Sequence, residues 1–302
     1  MMNRNSWQVT LTILCLSFLT VVSFGQDFQK SYALAQGNRV SVKTVVGDVS
    51  VKGYDGTTIM VTGFKEGRDR NLVSIVDAST ADKVDVSVNY PQECSCDASV
   101  RFEVLVPRNT NYDYDAFSSA SGNVAIEEII GMLHAESISG NVRVNNFVGA
   151  ITASSFSGDV KITQTPNVAF NARQGDRREA IFAQVRGRRG VAREGTTAQT
   201  HGALIAKSIS GNIFIDLVRL ENLNANQLEF SSISGNVNVR IPETLGATVE
   251  MSTVVGTLTT DFPLTIEKNA LSPGSLARGV VGDGSQELKI TSIAGNVSLR
   301  KN

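Results

Sequence analysis

The chain has 302 residues, with 26 glycines, six prolines, a single tryptophan and a net charge of −1. That length suits one large domain or two ordinary ones. The near-neutral balance excludes a global basic field of the kind that gathers nucleic acid.

Residues 1–25 read as a secretory signal peptide. Arg4 supplies the positive start, Val9 to Phe24 the apolar stretch, and Ser23 and Gly25 the small residues before a cut at Gln26. The apolar stretch is short for a membrane span of ~20 residues. Leu14 stands where a lipoprotein signal needs a small residue before Cys15. No later segment is apolar enough to span a bilayer. The expectation is an exported mature chain with no transmembrane span, in the periplasm or on the outer surface.

Residues 27–112 read as a β-rich N-terminal cap. Val84, Val86, Val88 and Tyr90 alternate with polar residues, and so do Val100, Phe102, Val104 and Val106. The nine residues between these runs read as a long hairpin loop. It holds Cys94 and Cys96, the only cysteines left once the signal is gone. An exported location permits a tight local disulfide between them, and two reduced thiols are equally compatible with the sequence.

From residue 113 to 302 the chain repeats itself. Glycines at 122, 131, 140, 149 and 158 are nine residues apart, and the phrases SASGNVAI, SISGNVRV and SFSGDVKI recur every 18. The phrase returns around Gly211, Gly235 and Gly295, with variant copies at Gly47 and Gly256. Counting from the phrase glycine, apolar residues fall at −7, −5, −2, +2 and +4. Around Gly140 these are Leu133, Ala135, Ile138, Val142 and Val144. Period two within each half predicts strands with one buried face. Gly47, Gly122, Gly140, Gly158, Gly211, Gly235, Gly256 and Gly295 are assigned to corners, where glycine permits positive φ and the following Asn or Asp bonds its own backbone. A lone repeat cannot offset its ordering entropy, so repeats must stack. The expected fold is all-β: a parallel β-solenoid of about 18-residue coils behind the β-rich cap. Arg300 and Lys301 are expected to protect its exposed end with charge.

Three insertions break the repeat, at 164–200, 216–226 and 263–286, and are expected on the surface. The first is the most distinctive. Arg173, Arg177, Arg178, Arg186, Arg188, Arg189 and Arg193 there face only Asp176, Glu179 and Glu194. That excess suits an anionic envelope polymer, a lipid headgroup or an acidic envelope protein.

The SISGNV phrases, the segment GDVSVKGYDG and the closing GVVGDGSQELKITSIAGNVSLRKN resemble a family of bacterial adhesin-like β-strand-repeat proteins, a domain of unknown function. The resemblance covers most of residues 35–302. It implies an exported β-solenoid and carries over no catalytic residue. The Arg-rich insertion departs from its pattern.

Catalytic signals are thin. The two histidines are His134, expected to point outward, and His201. Asp113 and Asp115 are the nearest paired carboxylates for sugar cleavage, and a solvated strand face or a weak calcium contact accounts for them as well. Glu127 and Glu128 read as surface charges. No metal, cofactor or nucleic acid is called for. The reading is a non-catalytic envelope binding or scaffold protein. The alternatives are a polysaccharide lyase or hydrolase on the same scaffold, and a regulatory component contacting a partner protein.

Overall fold

A computed structural model describes residues 26–92, 94–164, 202–218, 225–268 and 274–302. The signal segment and the seven arginines from Arg173 to Arg193 lie outside the described residues. Strands dominate what is described, with a single short 3-10 turn at Arg70–Leu72.

The first seven strands are β1 (Phe28–Tyr32), β2 (Arg39–Val46), β3 (Val49–Tyr54), β4 (Ile59–Glu66), β5 (Ser74–Asp77), β6 (Lys83–Asn89) and β7 (Ser99–Pro107). The repeats then give β8 (Asn111–Ser121), β9 (Val124–Glu127), β10 (Ile130–Ser137), β11 (Val142–Asn145), β12 (Val148–Ser155) and β13 (Val160–Thr163). They continue with β14 (Gly202–Ser208), β15 (Ile213–Asp216), β16 (Ala225–Ser232), β17 (Val237–Ile241), β18 (Ala247–Val255) and β19 (Leu258–Thr260). The chain closes with β20 (Thr265–Lys268), β21 (Ser275–Val281), β22 (Gln286–Ala294) and β23 (Val297–Lys301).

These strands form two large, mostly parallel sheets. One has 11 strands in the order β1-β4-β7-β3-β9-β11-β13-β15-β17-β23-β19. The other has 12, in the order β20-β21-β18-β22-β16-β14-β12-β10-β8-β2-β6-β5. From β8 to β19 the chain alternates between them, so each repeat supplies one strand to each. Pairing keeps the sequence repeat in register: Val142 faces Val124 on one side and Val160 on the other.

One continuous cluster of buried side chains runs from Tyr32 to Leu299. In the Gly140 repeat, Leu133, Ala135, Val142 and Val144 are all buried. A fully buried Leu or Val is worth about 1.5–3 kcal/mol.

The −2 position departs from expectation. Val45, Ile138, Phe156, Ile209, Ile233, Val254 and Ile293 point to solvent and are 39 to 55% exposed. Period two is the cause, because it carries the inward face from −7 and −5 to −3 and leaves −2 outside. The inward −3 residue is a hydroxyl: Ser119, Ser137, Ser155, Ser208, Ser232, Thr253 and Ser292 are buried. Each donates to a phrase-glycine carbonyl in the adjacent repeat, as Ser155 Oγ does to Gly140 O at 2.8 Å. A second corner, unread in the sequence, is marked by Asn146 at φ 52° and buries Phe147 after it.

The phrase glycines also work differently. Only Gly47 and Gly256 of the eight have positive φ. The others are glycine because the repeats approach so closely. A Cβ on Gly140 would lie 2.1 Å from Gly122 O. The following Asn or Asp bonds a neighbouring repeat rather than its own backbone. Asn141 N donates to Asn123 Oδ1 at 3.0 Å, and Asp159 N donates to Asn141 Oδ1 at 2.9 Å.

Two further expectations are corrected. β6 and β7 make no hairpin, since each pairs in a different sheet and the Cys94–Cys96 segment crosses between them. Arg300 and Lys301 do not guard an end, because β23 lies between β17 and β19. The 263–286 insertion contributes strands at one flank of the stack: β21 pairs antiparallel with β18 and β20 with β21. At the opposite flank β1, β4 and β5 are likewise antiparallel additions.

Candidate functional site

The outer face of the 11-stranded sheet gathers cations that have no ion-pair partner among the described residues. Inward positions +2 and +4 hold β11, β13, β15, β17 and β23 on the core, so +3 and +5 project outward. The register aligns the +3 residues Arg143, Lys161, Phe214, Asn238 and Ser298 in one row. The +5 residues Asn145, Thr163, Asp216, Arg240 and Arg300 form the row beside it.

A groove of about 600 Å³ runs over these rows. Short side chains, Asn238, Ser298 and Thr163, line it together with long ones. Ser298 Oγ and Asn238 Oδ1 share a hydrogen bond at 2.8 Å. Arg143, Lys161, Arg240 and Arg300 all line the groove and are exposed. Among the described residues none of the four has a carboxylate within ion-pair distance. Two acids, Asp159 and Asp216, also line it. Asp159 is occupied at the corner, where its Oδ1 accepts from the Asn212 backbone at 2.8 Å. Phe214 stands between Lys161 and Asn238 with its ring partly open to solvent. An aromatic face beside free cations suits an anionic ligand that also carries an apolar or sugar-ring surface.

The residues singled out in the sequence fall elsewhere. The phrase glycines lie in the stacked corners. Cys94 and Cys96 are paired as a disulfide with Cα atoms 5.1 Å apart. His134 is exposed, with Nε2 3.8 Å from Glu136 Oε2. Asp113 and Asp115 sit on β8 of the other sheet. Glu127 accepts from Asn145 Nδ2 at 3.3 Å, and Glu128 pairs with Arg108 at 3.4 Å. Among the described residues no three His, Cys, Asp or Glu side chains gather to hold a metal ion, and no helix is long and apolar enough to cross a membrane. The groove itself was legible only in the outward +3 and +5 positions, which a template of inward residues passes over.

No family model matches the sequence, and no curated protein matches it. The chain is similar to the crystal structure of a candidate cell adhesion protein from Clostridium sporogenes, at TM-score 0.39 and 8% identity, over 91% of this chain and 99% of that one. It is similar to a candidate adhesin from Bacteroides fragilis at TM-score 0.38 and 14% identity, over 91% and 96% of the two chains. A candidate adhesin from Parabacteroides distasonis matches at TM-score 0.26 and 12% identity, again over 91% and 96%. All three of these solved structures are of bacterial candidate adhesins or cell adhesion proteins.

Proposed function

We propose that this chain is an exported, non-catalytic binding or scaffold protein of the bacterial envelope, adhesin-like in role, and that it engages an anionic envelope polymer. In this reading the two sheets are the walls of one parallel β-solenoid. Residues 27–112 act as its cap and 113–302 as its coils. The observation that carries the reading is the groove over β11 to β23, where Arg143, Lys161, Arg240 and Arg300 surround Phe214 without ion-pair partners among the described residues. Its rows follow the strand spacing of ~4.8 Å, which suits an extended chain lying across several strands.

The test is binding of purified protein to polygalacturonate, a linear polymer of carboxylate sugars, with neutral dextran as control. Retention on polygalacturonate that weakens with salt, and that is lost when Arg143, Lys161, Arg240 and Arg300 are all replaced by Ser, supports the proposal. Retention indifferent to salt and to those replacements rejects it. Shortening of the polymer by the protein would instead make it an enzyme.

A further inference from the structure

We infer that the exposed −2 ridge is a self-association surface, on which two copies of this chain pack antiparallel about a two-fold axis. Along the stack the ridge runs Val45, Ala120, Ile138, Phe156, Ile209, Ile233, Ile293, Val254, one residue per level of the 12-stranded sheet. Backbone bonds hold it in file. Ile138 O accepts from Ser157 N at 2.8 Å, Phe156 O from Ser210 N at 2.9 Å, and Ile209 O from Ser234 N at 2.8 Å. Seven steps of ~4.8 Å make an apolar ridge of about 34 Å. Singly exposed apolar residues need no explanation, but an unbroken file of them marks an interaction surface.

The surroundings select the partner. The −1 residues beside the ridge are Val46, Ser121, Ser139, Ser157, Ser210, Ser234, Ala294 and Val255, with no charge among them. The outward row on the other side, at −4, carries Lys43, Glu136 and Lys207, and reversing the file sets each of them opposite a serine, so a second copy brings no like charges together along the contact. An anionic membrane fits worse, because the next row, at +1, carries Asp48 and Asp159. With its flanking rows the ridge offers roughly 600 Å² per copy, at the low end of what stable dimers bury.

Shape selects the orientation. Reversing the file against itself sets Val45 opposite Val254, Ala120 opposite Ile293, Ile138 opposite Ile233, and Phe156 opposite Ile209. The smallest member then meets a large one. Phe156, the most exposed at 55%, meets Ile209, the least exposed of the large members at 39%. A parallel arrangement would set Phe156 against Phe156. The contact is isologous, so it closes as a dimer and does not propagate.

The experiment is light scattering with size exclusion, on protein purified from the envelope of cells expressing the full chain. Dimer mass at micromolar concentration is expected. Ile209→Lys and Ile233→Lys should each weaken dimerisation roughly tenfold or more with circular dichroism unchanged. For orientation, Val45→Cys and Val254→Cys proteins are oxidised separately and as a mixture. Cross-linked dimer is expected in the mixture alone. Wild-type monomer throughout, a dimer indifferent to both lysines, or Val45→Cys cross-linking to itself would each overturn the inference. So would a monomer that binds phosphatidylcholine vesicles through Ile209 and Ile233. Polygalacturonate binding is read on another face, so either result can fail without the other.

Discussion

Ser137 Oγ donates to Gly122 O at 2.8 Å, linking two repeats through a bond that neither repeat can make alone. Ser137 is 1% exposed and Gly122 is half-buried, so removing the hydroxyl takes the donor from a partly buried carbonyl. Ser137→Ala should destabilise the protein by about 1–3 kcal/mol, and Ser137→Thr by less. Thermal unfolding measures both, and an alanine variant as stable as the parent would refute the assignment.

Gly140 should tolerate no side chain. Its added Cβ would meet Gly122 O at 2.1 Å, and that carbonyl cannot move without shifting the neighbouring repeat. Gly140→Ala should cost about 1–3 kcal/mol or more, despite alanine's ordinary gain from a less flexible unfolded chain. A neutral or stabilising effect in urea denaturation would show that the repeats are not so closely stacked.

Acid should loosen the N-terminal flank through Asp77. Burial pushes its carboxyl up, but hydrogen bonds from Lys30 and Ser79 prevail and hold it down at about 2. Lys30 Nζ lies 2.5 Å from Asp77 Oδ2. A folded-state value below the unfolded one means that the stabilisation is present above pH ~4 and is lost as pH falls toward ~2. Because Lys30 is half exposed, the contribution is about 1 kcal/mol. Wild type should unfold at a higher temperature than Asp77→Asn at pH 6, with the gap closing near pH 2.5. A gap that persists there would assign the difference to another cause.

Phe214 should separate stability from binding. Its ring lies on the outer face, so Phe214→Ala should change unfolding by less than about 1 kcal/mol while weakening polygalacturonate binding several-fold. Calorimetry reads the first and affinity retention the second. Loss of fold with loss of binding would return Phe214 to a structural role.

How legible this molecule was from sequence depends on which face of each strand is considered. Leu133, Ala135, Val142 and Val144 announced the buried faces, because burial forces a period that one chain displays. Ile138 misled, since an apolar residue in phase with a core looks like core until the −3 serine is seen to take the inward place. Asn141 reads as a corner residue, but its partner lies 18 positions back in the sequence, and local turn chemistry cannot reveal that. The groove was harder still. Arg143 and Arg300 stand at different positions of the repeat phrase, +3 and +5, and only the strand order brings their levels into one face.

That strand order has one more consequence. β22 and β23 occupy the penultimate level of the stack, between the levels of β16–β17 and β18–β19, although they follow both in the chain. A polypeptide emerging N-terminus first therefore makes the outermost level before the one that must lie beneath it. Until residues 286–301 arrive, Phe230 and Met251 lack the partner that lies between them, Ile290. The closing segment is a keystone: among the described residues, the strands of the levels on either side of it are joined in the sheets only by pairing with it.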